Sequence, residues 1–354
     1  MDEGIKSLAD ALMHNEVTTF LSSSTSFQHT WSLTQTLTTL ELGDNHIRSQ
    51  GAQHLANALI KNETLINLNL YDNHIEDEGT ECLTNALINS KKLTTLILDL
   101  NRIHNKGAQY LANLLIRNTS LTTLHIKHNS FGSNAAQYLA NALAKNKTLI
   151  TLKLGKNYIK VDGVKYLVNE LKNNKVIPFH LHQIHTNLCP FSQTLTTLDL
   201  SFNHIDPDGV ENLANELKNN EVLITLELGC NFFGDQGAYH LANLLIYNRK
   251  LTTLLLENNH IGPQGAQHLA DALIKNETLT SLDLSENNIG DKGAEYFANA
   301  LTNNKVIIVL LSSTTYQHTT YIAQTLTALN LAKNKIGQKG AQFLANAITN
   351  NNVT

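Results

Sequence analysis

One pattern in this chain leaves it few folds to adopt. The stretch Leu37-Thr-Thr-Leu40-Glu-Leu42-Gly-Asp-Asn45-His-Ile47 returns, leucines and asparagine in place, at Leu65, Leu93, Leu121 and Leu149, a step of 28 residues each time. After a break it resumes at Leu195, Leu223, Leu251 and Leu279 with the same step, and once more at Leu326. Each unit runs on into versions of Gly-Ala-x-x-Leu-Ala-Asn-Ala-Leu, as in Gly51–Leu59, Gly107–Leu115 and Gly265–Leu273. Self-similarity at such a period marks stacked units, each too small to bury its apolar face alone. A length of 354 residues would otherwise suggest two or more domains at about 100–200 residues apiece. It reads here as one solenoid, in which each unit contacts mainly its neighbours.

The residues within a unit have separate physical tasks. Leu40 and Leu42 alternate on a short strand with their side chains inward. Asn45 then ends the strand, where an amide can bond the backbone of the next coil. Asn73, Asn101, Asn129, Asn157, Asn203, Asn231, Asn259, Asn287 and Asn334 fill the same place, so a stack of buried amides is expected to satisfy the turning backbone. Ala52, Leu55, Ala56 and Leu59 recur at helical spacing, so the second half of the unit is an amphipathic helix packed on the sheet. Gly51 is expected to precede that helix where a flexible backbone is useful, and Ala135 is the one full unit without it.

The motif LxxLxLxxNxI at this period resembles the leucine-rich repeat of the ribonuclease-inhibitor type, also found in nucleotide-binding innate immune receptors. The resemblance implies an α/β horseshoe, with a parallel β-sheet on the concave side and helices on the convex side. It covers nearly all of 1–354: a half repeat at 1–16, full repeats at 37–175, 195–305 and 326–352, and short irregular units at 17–36, 176–194 and 306–325. The short units keep the strand template (Val17, Phe20; Val176, Phe179, Leu181; Val306, Val309, Leu311) without the asparagine or the Gly-Ala helix. Each is expected to add a strand with a thinner outer layer, and so to change the curvature locally.

Both ends fall inside a unit, and Met1 is followed by Asp2, Glu3 and Gly4 instead of a basic and apolar leader. A piece of a longer repeat protein, or an uncapped one, is the expectation. With Lys far outnumbering Arg and with Asn abundant, the chain is also similar to the repeat effectors of intracellular bacteria such as Legionella. That likeness implies a cytoplasmic protein, delivered into a host cytosol without a secretory signal.

Composition excludes several classes. Apolar runs such as Val306–Leu311 are far shorter than the roughly 20 residues a membrane span needs. Cys82, Cys189 and Cys230 form no CxxC pair, which argues against a disulfide framework or a cysteine-rich zinc site. GxSxG, Walker, GxGxxG and paired-carboxylate patterns are all missing. Neither an enzymatic activity nor a cofactor is expected.

Function is expected on the concave face. There the second and third positions of each unit are mostly threonine, as a sheet favours, while the fifth, seventh and eighth vary. Taken along the sheet, Glu41, Asp44, Asp72 and Asp99 form an acidic opening; His125, Lys127, His128, Lys153, Lys156, His180 and His182 follow as a basic or protonatable zone; Asp199, Glu227, Glu257, Asp283 and Glu286 return to acid. A net charge of −4 therefore conceals three zones of alternating sign. Asn69, Tyr71, Ile97, Leu100, Phe202 and Leu255 project there as well, as candidate anchors for a partner. Like charges on neighbouring strands are mildly destabilising, so the sorting is not what stability alone selects. It points to a protein partner of inverse pattern, with electrostatics setting orientation and on-rate. The alternative is an anionic ligand, such as a nucleic acid or a phosphorylated head group, held by the central zone. Acid on either side makes nucleic acid the weaker reading.

Histidine recurs at one loop position, His46, His74, His204 and His260, but no acid or cysteine completes a metal set there. Exposed loop residues are expected, and His125, His128, His180 and His182 would make the central zone pH-sensitive near pH 6. His54, Tyr110, Tyr138, Tyr166, His240, His268, Tyr296 and Phe343 share one helix position, read as packing between adjacent helices.

Overall fold

A computed structural model describes residues 2–13, 37–171, 194–303 and 326–350. The chain divides into two compact units, Met1–Asn157 and Tyr158–Thr354. The first holds α1 (Asp2–Met13), β1 (Thr39–Glu41), α2 (Ser49–Leu59), β2 (Asn67–Asn69), α3 (Glu76–Leu87), β3 (Thr95–Ile97), α4 (Asn105–Arg117), β4 (Thr123–His125), α5 (Ser133–Leu143) and β5 (Thr151–Lys153). The second holds α6 (Lys160–Leu171), β6 (Thr197–Asp199), α7 (Pro207–Leu217), β7 (Thr225–Glu227), α8 (Gly234–Tyr247), β8 (Thr253–Leu255), α9 (Pro263–Leu273), β9 (Ser281–Asp283), α10 (Gly290–Asn303), β10 (Ala328–Asn330) and α11 (Gln338–Asn350). Strands β1 to β5 pair in sequence and in parallel, as do β6 to β10. This strand–helix alternation is a leucine-rich-repeat solenoid.

The expected core is the observed one. The central strand leucine (Leu68, Leu96, Leu124, Leu198, Leu226, Leu254) and the helix Leu-Ala pair (Leu111-Ala112, Leu139-Ala140, Leu213-Ala214, Leu269-Ala270) are shut off from water, whereas in the last repeat Leu329 and Leu344 are half-buried. The strand residues on either side of that leucine face outward on the sheet surface opposite the helices, the open face.

The ladder asparagines from Asn73 to Asn334 are buried as expected. Asn259 shows their pattern: Nδ2 donates to Leu228 O (2.9 Å), one repeat back, and to Leu256 O (3.1 Å) in its own turn. Its Oδ1 accepts from the Asn231 and Phe232 amides at 2.8 and 3.0 Å. Asn129 in the first unit does the same, bonding Leu98 O, Ile126 O and the Asn101 and Ile103 amides. Asn45, at the start of the row, is exposed instead.

Two further sets of polar links tie the helices together, and the sequence reading missed both. Asn118, Asn146, Asn248 and Asn276, each three residues before a strand leucine, donate to the helix-end carbonyls of Leu87, Leu115, Leu217 and Leu245 at 2.7–2.8 Å. Their Oδ1 atoms accept from the following turn, as at Leu121 and Leu279. This gives otherwise unpaired helix C-terminal carbonyls a partner. At the other end, Asp77 in the first turn of α3 accepts from the His104 and Gly107 amides of α4's start. Asp235 serves Gly262 and Gly265 of α9 in the same way, and Asp291 serves Gly337 and Gly340 of α11. Each of these helices is capped by its predecessor.

That capping corrects the reading of Gly51. The glycine lies within α2, and neither it nor Gly107, Gly265 or Gly340 has a positive φ. A Cβ at Gly265 or Gly340 would stand 2.6 Å from the capping carboxylate and 2.7–2.8 Å from an isoleucine methyl. Close approach, not flexibility, is what the position demands. At Ala135 the preceding helix offers Asn105, which accepts from the Gly132 amide, and the methyl is accommodated.

The short units, apart from Thr194, lie outside the described residues, as does the expected change of curvature. β10 pairs directly with β9, Ala328 opposite Ser281, and Asn334 bonds Leu284 O and accepts from the Ile289 amide, as neighbouring full repeats do.

Candidate functional site

The open face is built from the fifth, seventh and eighth positions of each repeat. The eighth is conformationally special. Asp44, Asp72, Leu100, His128, Lys156, Phe202, Cys230, Asn258, Glu286 and Lys333 all have φ between +49° and +58°, the left-handed region that non-glycine residues adopt at a cost. The strand ends there because the chain must turn toward the helix layer while the ladder asparagine holds the next residue. Five of the ten are acidic or basic groups of the sequence-predicted zones (Asp44, Asp72, Lys156, Glu286 and, when protonated, His128).

In the first unit, Glu41, Asp44, Tyr71 and Asp72 are exposed, and Asn69, Ile97, Asp99, His125, Lys127 and Lys153 are half-buried on the sheet surface. Asn69 Nδ2 donates to Glu41 Oε2 at 2.5 Å, while its Oδ1 accepts the Tyr71 amide. Asp99 Oδ1 accepts the Lys127 backbone amide of the adjoining repeat at 2.5 Å. His128 and Lys156 are exposed. Burial of the ring, helped by the Lys156 charge and opposed by Asp72, holds the His128 pKa below the ordinary 6.5. His180 and His182 lie outside the described residues.

In the second unit, Asp199, Glu227, Leu255, Glu257 and Asp283 follow along β6 to β9, with Phe202 and Glu286 exposed beside them. Asp199 departs from expectation: it is completely buried, and its Oδ1 accepts from the amide and the hydroxyl of Ser201 at 2.9 and 2.6 Å. It holds the turn, as Asp283 does for Ser285. Glu257 lies across Gly229 of the preceding repeat, where a Cβ would collide with its carboxylate. Its Oε2 is shielded from water and has no hydrogen-bond partner among the described residues. Burial first, then the charges of Asp283, Glu227 and Asp199, push its carboxyl above the usual range. Cys230 next to it is buried, with Asn258 donating to Sγ at 3.4 Å. Burial raises its thiol pKa, and Glu257 and Glu286 add to the effect, so the thiol is not activated.

The tenth position forms a rim that the sequence reading saw only as histidines. His46 and His74 stack at 5.2 Å between centroids. In the second unit Tyr158, His204, Phe232 and His260 form a row, with centroid spacings of 5.9, 6.5 and 5.2 Å. Tyr158 and Phe232 are 58% and 51% exposed. Placing every residue nine positions after its opening leucine would have revealed the row. Among the described residues no group of three His, Cys, Asp or Glu side chains is placed to hold a metal ion. Of the helix stripe, Tyr138 and Tyr166 are exposed and the others half-buried. His268 is met edge-on by Tyr239, the neighbour of stripe residue His240 on the preceding helix, and Lys106, Lys292 and Lys339 cover Tyr110, Tyr296 and Phe343 within their own helices.

Such a repeat frame with a variable open face defines a class of binding scaffold. The Leucine Rich repeat family model matches at 35–56, 61–83, 89–112, 117–140, 191–214, 247–270, 275–298 and 323–345, more than half of the chain. The chain belongs to the leucine-rich-repeat family, whose members are generally protein-binding and typically non-catalytic. Among solved structures it is similar to an internalin from Listeria monocytogenes, with 19% identity, 97% of this chain and 92% of that one covered, and a TM-score of 0.41. It is also similar to the tropomodulin C-terminal domain of Caenorhabditis elegans (15%, 48% and 92%, 0.35) and to actin-binding site 2 of leiomodin-1 (21%, 40% and 71%, 0.30). No curated protein sequence matches the chain. No helix among the described residues is long and apolar enough to cross a membrane.

Proposed function

We propose that this protein is an interaction scaffold whose open face binds a protein partner oriented by charge. One observation carries the reading: strands of identical frame carry sign-sorted side chains at the positions the core leaves free. Folding requires no such sorting, and like charges on adjacent strands oppose it. Complementary potentials favour the matching partner and its register. The likeness to effectors of intracellular bacteria makes a host cytosolic protein the partner to seek first.

The test pairs two charge-reversed variants with the parent chain: Lys127→Glu, Lys153→Glu and Lys156→Glu in the first unit, and Glu227→Lys, Glu257→Lys and Asp283→Lys in the second. Quantitative pull-down from host lysate is expected to lose the same specific partners with either variant. Retention of a generic polyanion by the parent chain, abolished by the first variant alone with steep salt dependence, would move the function to anion capture. An unchanged partner set with both variants would remove the open face from consideration.

A further inference from the structure

The first and last described helices bury opposite halves of one pattern. An interior helix such as α2 has two apolar edges, Gly51 and Ala58 on one, Ala52, Ala56 and Leu59 on the other, and all five residues are buried. α11 buries only the first edge: Gly340 and Ala347 are buried, while Ala341, Ala345 and Ile348 are exposed, Ile348 at 62%. α1 buries only the second: Ile5, Ala9 and Leu12 are buried, while Gly4 and Ala11 are exposed. The equivalence follows the repeat. Gly4, Gly51 and Gly340 lie in the same helix turn, and Ala11, Ala58 and Ala347 come seven residues later.

Direction explains the difference. α1 packs on its successor α2, and α11 packs on its predecessor α10. The edge that α11 leaves in water is therefore the one a following helix covers, and the edge that α1 leaves in water is the one a preceding helix covers. Inside the chain the two edges meet closely. A Cβ at Gly79 would stand 3.0 Å from the Ala52 methyl of the helix before it, one at Gly265 3.0 Å from that of Ala238, and one at Gly293 2.9 Å from that of Ala266. The glycine of one helix thus seats the alanine of its predecessor. A Cβ at Gly4 would meet nothing within 4 Å, and Ala341, the counterpart of Ala52, is exposed. Each edge is the missing half of the other.

Charge agrees with shape. Residues 326–350 carry Lys333, Lys335 and Lys339 and no acid, whereas α1 carries Asp2, Glu3 and Asp10 against Lys6. The residue before the glycine is Lys339 in α11 and Glu3 in α1, both exposed. Opposite charges favour this pairing, and two α11 edges brought together would set lysine against lysine.

The geometry points to a second copy of this chain as the occupant of both edges: α11 of one molecule docks on α1 of the next, with Ala341, Ala345 and Ile348 against Gly4, Leu8 and Ala11. Each molecule offers one edge and receives the other, so the contact is heterologous and propagates head to tail. It uses the helix layer alone and goes beyond the open-face reading. A contact of one helix pair belongs to the small, reversible end of interfaces, so association should follow concentration.

The experiment is sedimentation velocity of the full chain from about 5 to about 300 µM, a range suited to a weak interface. The weight-average mass of the parent chain is expected to rise to about 1.5 times that of the monomer or more. Ala345→Arg blocks one edge and Ala11→Arg the other. Both residues are exposed, and each variant is required to keep the circular dichroism and melting of the parent chain. Ile348→Arg and Gly4→Arg repeat the test at second positions of the same two edges. Each variant alone is expected to stay monomeric. An equimolar mixture of Ala345→Arg with Ala11→Arg should form a one-to-one dimer and nothing larger, because each retains the edge the other has lost. A parent chain that is monomeric throughout overturns the inference, as does a mixture that fails to associate. So does association of either variant alone, which would mean that like ends pair.

Discussion

Along β1 to β5 the open face changes sign midway, from Glu41 and Asp72 to Lys153 and Lys156; along β6 to β9 it carries carboxylates alone, beside a row of aromatic rings. The frame beneath does not differ. Asn129 in the first unit and Asn259 in the second each donate to a carbonyl one repeat back and accept from the preceding ladder asparagine's amide, and the central strand leucines from Leu68 to Leu282 are buried in both. The contrast separates what folding dictates from what it leaves free. Positions that touch the core or the ladder repeat almost without change, whereas those facing water have diverged between the units. Each prediction below either strains that separation or locates its edge.

The largest effect is expected from the frame. Asn259→Ala would leave the Asn231 and Phe232 amides without an acceptor, while Leu228 O and Leu256 O keep Asn231 and Asn287 as donors, and should cost about 2 kcal/mol or more at roughly 1–3 kcal/mol per orphaned buried group. Asn129→Ala should cost about the same, while Asn45→Ala, on an exposed residue, should stay below about 1 kcal/mol. Urea denaturation of the three variants measures this. A cheap Asn259→Ala, or one much cheaper than Asn129→Ala, would mean that the two units do not share one frame.

Next come the links between helices. Gly107→Ala forces a methyl against Ile103 and against Asp77 Oδ1, 2.6 Å from the new Cβ, and overpacking of this kind costs about 1–3 kcal/mol. Asp235→Ala strips the caps from Gly262 and Gly265, worth about 1 kcal/mol. In combination the glycine variant should be better tolerated once its own carboxylate is gone. A double-mutant cycle of Gly107→Ala with Asp77→Ala is therefore expected to be less than additive. Strict additivity would refute the close-approach account of this glycine.

Much of this was legible in the sequence, and the omissions have physical causes. Leu40, Leu68 and their counterparts, the helix leucines and the ladder asparagines announce themselves because burial fixes both their identity and their period. The second asparagine row was nearly as periodic, while the capping aspartates Asp77, Asp235 and Asp291 recur at one position in only some repeats, and the partners of both lie in the neighbouring repeat. One unit read alone cannot show that Asp77 serves α4. Asp199 misled for a related reason: its strand position is an open-face position, yet a serine two residues on turns the carboxylate back to hold the turn. The aromatic rim escaped because the tenth position mixes His204 with Tyr158 and Phe232. Grouping by residue type divided what grouping by position joins.

A smaller effect probes the edge of the frame. The eighth position is left-handed in every repeat, and a side chain there costs about 1–2 kcal/mol relative to a right-handed one, a penalty glycine escapes. Leu100→Gly, at φ +58°, should therefore be neutral or stabilising by up to about 1 kcal/mol after its looser unfolded state is counted. Measured melting would show it. A clear loss would reveal that Leu100 packs as core, and the division between frame and face would have to move by one residue.

The finest test uses pH, because the two faces respond with opposite sign. The folded-state pKa of His128 lies below its unfolded value of about 6.5, so on acidification the unfolded chain takes up this proton first. Its contribution is complete above that value and is lost as pH falls below it. Glu257 is the reverse case: its folded-state pKa lies above the unfolded 4.5. The buried charge costs stability at neutral pH, and the cost is relieved as pH falls through the raised value, fully so below 4.5. Urea midpoints from pH 8 to pH 4 should therefore show His128→Gln losing less stability than the parent chain once pH drops under 6.5. Glu257→Gln should begin more stable than the parent and lose that advantage as pH approaches 4.5. Parallel curves for either variant would show that its group is not held as the structure holds it. If Glu257→Gln gave no gain at neutral pH, the crowding of carboxylates on the second face would carry no cost for a cationic partner to relieve.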